Sequence, residues 1–234
     1  MITFTSKVAI VTGASSGIGR SAALAFAAAG AHLVAVGRDA QALEAVVAES
    51  AHQGAESIAV VADLVSDEAA GEIVKNTVAR FGAIDIVVNA AGVIAMGATE
   101  ATTDEVWDRL MSLNVRAPFR LMREAFPYLK ERQGAVVNVS SVNGRRVFPN
   151  LAAYNTSKAA LDQLTRTAAI DWAPHGVRVN AVNPGVTVTN LHRRSGMKED
   201  AYAAFLARSK ETHPLGRPGQ ASEIAALILF LASD

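Results

Sequence analysis

The feature that most constrains this chain is the regular exchange of two kinds of segment along it. Short apolar runs recur at Val8–Thr12, Leu33–Val36, Ile58–Ala62, Ile84–Asn89, Ala135–Val139 and Val177–Val182. Each is too short for a helix, and most are rich in Val and Ile, which predicts strands. Between and after them lie longer segments at Ile18–Ala29, Ala40–Ser50, Glu68–Phe81, Thr103–Lys130, Tyr154–Trp172 and Ala221–Ala232, which predict helices. The strand runs are continuously apolar, the pattern of a sheet covered on both faces. Strands alternating with helices run parallel and are joined by right-handed crossovers. The expected fold is therefore α/β, a single domain over 1–234 built as a doubly wound parallel sheet.

Composition limits the partners such a domain can have. Half of the 234 residues are hydrophobic and 19% are charged, enough apolar surface for a core and too much for disorder. Twenty-two basic residues balance 22 acidic ones, so no net field draws nucleic acid or an anionic membrane. Without cysteine there is no disulfide framework, thiolate metal site or cysteine nucleophile. That absence fits a reducing compartment, and the expected location is the cytoplasm, with no metal. The opening Met1–Lys7 has no basic head followed by a long apolar run, so neither a signal peptide nor a membrane span is expected.

The first strand run ends in Thr12-Gly13-Ala14-Ser15-Ser16-Gly17-Ile18-Gly19, and a helix follows. The spacing G-x-x-x-G-x-G, between the first strand and the first helix, suits a tight turn whose bare backbone lets a pyrophosphate approach the helix N-terminus. Three further positions stand at strand ends. Asp63 can accept from an adenine amino group, Asn89-Ala90-Ala91-Gly92 is small enough to admit a flat ring or ribose, and Pro184-Gly185 opens a long loop. Taken singly, Asp63 reads equally as a helix cap and the others as turns. Their shared place at carboxyl ends is where ligands bind in open α/β sheets. The loop itself, Val186–Pro218, departs from the alternation and holds a mixed helix around Asp200–Ser209; a lid or binding loop is expected there. Its Leu191, Met197, Tyr202, Phe205 and Leu206 either line an apolar pocket or form the packing face of that helix. The neighbouring His192, Arg193 and Arg194 either attract an anion or form a solvated face.

Tyr154-Asn155-Thr156-Ser157-Lys158 opens the fifth helix, which puts Tyr154 and Lys158 on one face. A phenol of pKa about 10 is a poor acid or base near neutrality, and a nearby ammonium lowers that value. Thirteen positions before Tyr154 stands Ser141, whose hydroxyl can hold a carbonyl or alkoxide oxygen; Ser140 occupies the same strand end and is its rival. Asn114 falls in the middle of the predicted fourth helix, where asparagine is a weak helix former. It is either a surface residue or a buried one holding a proton-relay water.

In order, Thr12–Gly19, Asp63, Asn89–Gly92, Asn114, Ser141, Tyr154 with Lys158, and Pro184-Gly185 resemble the short-chain dehydrogenase/reductase family over essentially the whole chain. The resemblance implies a Rossmann-like strand order 3-2-1-4-5-6 and hydride transfer from a nicotinamide. It implies Tyr154 as general acid/base, Ser141, favoured over Ser140 by its spacing to Tyr154, on the substrate oxygen, and Asn114 on the relay water. Lys158 would hold the nicotinamide ribose and tune Tyr154. Cofactor contacts are implied at Gly13, Ser15, Ser16, Gly17, Ile18, Gly19, Arg38, Asp63, Leu64, Asn89, Ala90, Ala91, Gly92, Pro184, Gly185, Thr187 and Thr189, besides Tyr154 and Lys158. A homotetramer is also implied; Ala159, Ala160, Ala168 and Ala169 allow close helix approach, or packing on the chain's own sheet. The family's usual seventh strand and glycine-containing tail would follow the last helix, yet the chain stops at Asp234, and truncation is the expectation.

Family members that use NAD usually carry an acidic residue at the end of the second strand, which repels a 2′-phosphate. Here that position is Gly37, followed by Arg38, whose guanidinium can bind a phosphate bidentately. The expected cofactor is NADP(H) in preference to NAD(H), with a small-molecule ketone or 3-oxoacyl compound as substrate. Arg38 could instead pair with Asp39. The alternatives are an NAD-dependent alcohol, sugar or steroid dehydrogenase, and a silent dinucleotide-binding sensor. A silent protein would be expected to lack Tyr154, Lys158 or Ser141, all of which are present.

Overall fold

A computed structural model of the chain describes residues 2–51 and 56–233; Asp234, where truncation is expected, lies outside them. The elements run β1 (Val8–Thr12), α1 (Gly17–Ala28), β2 (His32–Gly37), α2 (Ala40–Ala51), β3 (Ser57–Val61), α3 (Ala69–Phe81) and β4 (Ile86–Asn89). They continue α4 (Asp104–Met111), α5 (Ala117–Arg132), β5 (Ala135–Val139), α6 (Ala152–Trp172) and β6 (Arg178–Val182). Last come β7 (Thr187–Val188), α7 (Leu191–Arg194), α8 (Glu199–Thr212), β8 (Gly219–Gln220) and α9 (Ala221–Ala232). Six strands form one parallel sheet in the order β3-β2-β1-β4-β5-β6.

Two cores explain why the strand runs are continuously apolar. Along β1, Ala9 and Val11 enter one core with Phe26 of α1, Leu43 of α2 and Ile228 of α9. Ile10 between them enters the other, with Ile73 of α3, Leu121 and Leu129 of α5, and Ala168 of α6. Successive side chains of a strand point to opposite faces, so a strand between two helical layers needs apolar residues at every position. The edge strand β3 departs from this: Val61 is 56% exposed.

The predicted fourth helix is two helices. Thr103 caps α4 by accepting from the Val106 amide at 3.4 Å, and a π-helical turn at Ser112–Arg116 separates α4 from α5. Pro118 stands in the first turn of α5, where a proline is tolerated. Having no N–H, it cannot donate to the carbonyl of Asn114 four residues earlier. The fifth predicted helix starts two residues earlier than expected, so Tyr154 lies within the first turn of α6. The excursion after β6 is structured: β7 pairs with β8, and α7 and α8 fill the interval. From β6, the Arg178 guanidinium donates to the carbonyls of Leu231 (2.7 Å) and Ala232 (3.0 Å), which satisfies the end of α9.

Phe26 is fully buried and meets Phe4 edge-to-face at 4.9 Å. Replacing it with alanine should lower unfolding stability by about 3–5 kcal/mol in urea denaturation, through lost transfer energy and a cavity. Val147→Ala, at a site 84% exposed, should stay within about 0.5 kcal/mol of the parent.

Candidate active site

The carboxyl ends of β1, β4, β5 and β6 converge on one edge of the sheet, and the candidate residues gather there. At the end of β1 the Thr12 hydroxyl donates to the Val88 carbonyl (3.3 Å) and accepts from the amides of Ala90 (3.1 Å) and Ala91 (3.2 Å). This draws the glycine loop and the turn after β4 into backbone contact. Gly13 takes φ +67°, and a Cβ there would lie 2.9 Å from the Ala91 Cα; a Cβ on Gly19 would collide with the Gly13 carbonyl. Ser16 caps α1 without a side-chain bond to it, so the first-turn N–H groups face the crevice. A bare cradle at a helix N-terminus fits the pyrophosphate of a dinucleotide.

Around the cradle, a Cβ on Gly37 would lie 3.6 Å from the Ser15 hydroxyl, so the end of β2 faces the loop. Arg38 beside it is exposed and makes no ion pair among the described residues. Asp39 does not take it: its carboxylate accepts from the Ala42 amide at 3.0 Å and caps α2. Ile18 and Leu64 are half-buried against the two cores. Asp63 is exposed, with one carboxylate oxygen accepting from the Val65 amide at 3.3 Å. Asn89 is buried, its amide donating to Asn138 at 2.8 Å, and Asn138 donates onward to Thr165 at 2.9 Å. The Asn89 side chain therefore braces β4 against β5. Ala90, Ala91 and Gly92 form the half-buried turn above it.

Tyr154 and Lys158 are buried on one face of α6. The lysine ammonium donates to the Val139 carbonyl at the end of β5 (2.9 Å) and lies 5.8 Å from the Tyr154 ring centre. Burial draws it down to about 8, against the upward pull of the Asp162 carboxylate. Burial pushes the Tyr154 phenol up, with the Ser141 hydroxyl beside it acting in the opposite direction. The expected lowering by Lys158 is not what sets the phenol's direction; desolvation, which disfavours the phenolate, does. The rivalry at the strand end resolves geometrically: Ser140 donates to the Lys158 carbonyl at 3.3 Å, whereas Ser141 stands beside the phenol.

Asn114 is fully buried in the π-helical turn, not a surface residue. Its Oδ1 accepts from the Val93 amide (3.0 Å), and its Nδ2 donates to the Val93 carbonyl (2.9 Å) and the Ser157 hydroxyl (3.0 Å). These bonds tie the π-helical turn, the loop after β4 and α6 together. The side chain is thus committed to protein partners, and Pro118 cannot offer the Asn114 carbonyl the usual donor four residues on. The side chain belongs to the same cluster, since a Cβ on Gly92 would lie 3.3 Å from Asn114 Oδ1 and 3.7 Å from Lys158 Nζ.

Beyond β6, Pro184-Gly185 is covered by His213, whose Nε2 accepts from the Val186 amide at 3.1 Å. Thr187 is buried and donates to the Gly185 carbonyl at 3.3 Å. Thr189 reaches the glycine loop, its methyl 3.2 Å from where a Gly17 Cβ would stand. The Tyr202 phenol holds Thr189, accepting from its amide (3.3 Å) and donating to its carbonyl (2.9 Å). Of the apolar residues in this segment, Leu191 packs with Ile94, Ala153 and Tyr154 at the site, while Tyr202 is buried as packing. Arg193 is exposed and paired: it grips Glu199 with two bonds of 2.7 Å and lies 3.9 Å above the Tyr202 ring, while Arg194 is exposed too.

Several contributors carry no signal in sequence. Asn143 accepts from Ser141 at 3.1 Å and donates to Asn155 at 2.7 Å, steadying the turn that presents the serine. Asn183 and His213 act only through folded contacts, and Asp162 looks like an ordinary helical charge. Thr12 was legible within the loop motif, though its clamp on Ala90 and Ala91 was not.

A family model for enoyl-(acyl carrier protein) reductase matches residues 13–234. An uncharacterised oxidoreductase of Thermotoga maritima is 38% identical over 232 residues, covering 99% of this chain and 92% of that protein. The 3-oxoacyl-(acyl-carrier-protein) reductase of Staphylococcus epidermidis is 36% identical over 230 residues, covering 97% and 92%. A crystal structure of a short-chain dehydrogenase/reductase of unknown function from Caenorhabditis elegans, with cofactor, aligns with a TM-score of 0.91 at 36% identity, covering 98% of this chain and 89% of that one.

The cradle geometry makes Gly19 intolerant of a side chain. Gly19→Ala should weaken NADPH binding by about tenfold or more, measured by fluorescence titration, with the far-ultraviolet circular dichroism retained. Parental affinity in this variant would contradict the cradle.

Proposed function

The chain belongs to the short-chain dehydrogenase/reductase family and is an oxidoreductase, and on that premise we propose that it is an NADP(H)-dependent reductase of a ketone or 3-oxoacyl carbonyl. The observation that carries the proposal is the buried group of Tyr154, Ser141 and Lys158. Bound in the crevice, the nicotinamide supplies a hydride to the carbonyl carbon. Ser141 hydrogen-bonds the carbonyl oxygen and sets it beside the phenol. Tyr154, kept in its acid form by burial, gives its proton to that oxygen as negative charge develops there. Lys158, drawn down to about 8, is still mainly ammonium at neutral pH and offsets charge on the phenolate left behind. A proton returns to Tyr154 through water held at the Asn114 carbonyl. The Staphylococcus relative supports a 3-oxoacyl substrate, and a serine–tyrosine pair that binds a carbonyl oxygen favours this over the alkene of the family model.

NADP(H) is favoured by the missing carboxylate at Gly37 and by the unpaired Arg38 next to it. The adenosine end would lie along Ser15, Ser16, Arg38, Asp63 and Leu64, the pyrophosphate on Gly13, Gly17, Ile18 and Gly19, and the nicotinamide ribose on Tyr154, Lys158 and the 89–92 turn. Pro184, Gly185, Thr187 and Thr189 would close over the nicotinamide, within a substrate segment of about 186–218. A homotetramer in the cytoplasm completes the proposal. Ala168 and Ala169 pack on the chain's own sheet, whereas Ala159 is exposed and, with exposed Ile170 on the same helix, is open to a partner chain.

Tyr154→Phe should lower kcat by about 10²-fold or more, with NADPH affinity within a few-fold of the parent. Activity near a tenth of the parent would contradict the assignment. A charge-assisted phosphate contact contributes about 1.5–3 kcal/mol, or roughly ten- to a hundredfold. Arg38→Ala should therefore erase most of the NADPH preference in kcat/KM, and Gly37→Asp should reverse it.

A further inference from the structure

Asp162 is a buried carboxylate that the reduction as described does not use. It lies one helical turn beyond Lys158 on α6 and is 5% exposed. A charge so placed is costly unless fixed partners meet it. Asn183, just past β6, meets both carboxylate oxygens: its Nδ2 lies 3.1 Å from Oδ1 and 3.0 Å from Oδ2. The same Nδ2 lies 2.9 Å from the Ser141 carbonyl as donor. The turn that follows Ser141 lies directly on the carboxylate, since a Cβ on Gly144 would collide with Oδ2. So Asp162 connects to both halves of the catalytic group, to Ser141 through Asn183 and to Lys158 through charge.

We propose that Asp162 is a positioning residue for the reduction: through Asn183 it fixes the turn presenting Ser141, and one helical turn from Lys158 it is the buried carboxylate that faces the ammonium's side of α6. The proposal rests on the assignment of Tyr154, Ser141 and Lys158 above. Of the groups packed around Lys158, β5 offers the Val139 carbonyl, the turn after β4 offers Gly92, and the π-helical turn offers the amide of Asn114. None of them ionises. On α6 itself the titratable neighbours are Tyr154 and Asp162. Among the described residues, Asp162 is therefore the negative charge acting on the lysine, and removing it leaves the ammonium opposed by burial alone.

Asp162→Asn keeps the size and one acceptor for Asn183 while deleting the charge. Its kcat/KM for carbonyl reduction, followed from pH 6 to 9, should fall on the alkaline side about one unit or more earlier than in the parent. At pH 6 it should stay within about threefold, and at pH 8 it should be lower by about tenfold or more. A profile superimposable on the parent's, whether or not uniformly lowered, would overturn the proposal. Asn183→Ala tests the other arm and decides the matter if Asp162→Asn does not fold. It should lower kcat by about tenfold at every pH, leaving the alkaline limb in place and the NADPH KM within about threefold. Unchanged kcat in Asn183→Ala would likewise overturn it. Tyr154→Phe runs in parallel: if that variant stays active, the site assignment fails and Asp162 with it. If it is inactive while the Asp162→Asn profile superimposes, only the role of Asp162 fails.

Discussion

The site depends on keeping an ammonium charged inside the protein. Lys158 lies within the domain, where transfer of a cation from water costs several kcal/mol unless fixed groups replace its hydration. The fold supplies the Val139 carbonyl at 2.9 Å, the face of Tyr154 and the carboxylate of Asp162. Val139 ends β5, between β4 and β6 at the sheet's carboxyl edge, while Tyr154, Lys158 and Asp162 share one face of α6. The docking of α6 on β5 and β6 therefore fixes the chemistry as much as any side chain does. It sets two opposed directions, a phenol raised by burial and an amine lowered by it, and together they describe an acid poised beside a cation near neutral pH.

A second constraint fixes where substrate and cofactor meet. Thr12 and Gly13 bring the β1 loop into backbone contact with Ala90 and Ala91, which no residue larger than glycine at position 13 would allow. Asn114 then clamps the continuation of that turn to α6 through Val93 and Ser157. Tyr202 holds Thr189 over Gly17 from the far side. The cradle, the catalytic group and the segment after β6 are thus linked by hydrogen bonds from rigid elements, the condition for holding reacting groups in a fixed geometry.

What could be read from the sequence was what local pattern encodes. Continuous Val and Ile runs, the loop from Gly13 to Gly19 and the four-residue spacing of Tyr154 and Lys158 are set by nearby residues, and the structure places them as expected. The break in the fourth helix was less visible, because Pro118 is compatible with a helix start and gives no sign that a π-helical turn precedes it. Asn114 was open between surface and interior until the fold wrapped Val93 around it. The protonation of Tyr154 could not be read at all: Lys158 is a local neighbour, but the burial that pushes the phenol up arises only once Ile94, Leu110 and Ala153 pack around it. Asp162 shows the limit best. In sequence it is a polar residue one turn past a lysine; only β6 and the turn after Ser141 make it a buried partner of both.

Lys158 is a buried ammonium whose proton is weakened by the fold, and nitrogen NMR reads this directly. With lysine labelled at Nζ and the resonance assigned by its loss in Lys158→Arg, a titration of the free protein should show one side chain losing its proton near about 8. A Lys158 that keeps its proton to the free-amine value of about 10.4 would contradict this, because such an amine would be hydrated and not held by Val139 and Asp162.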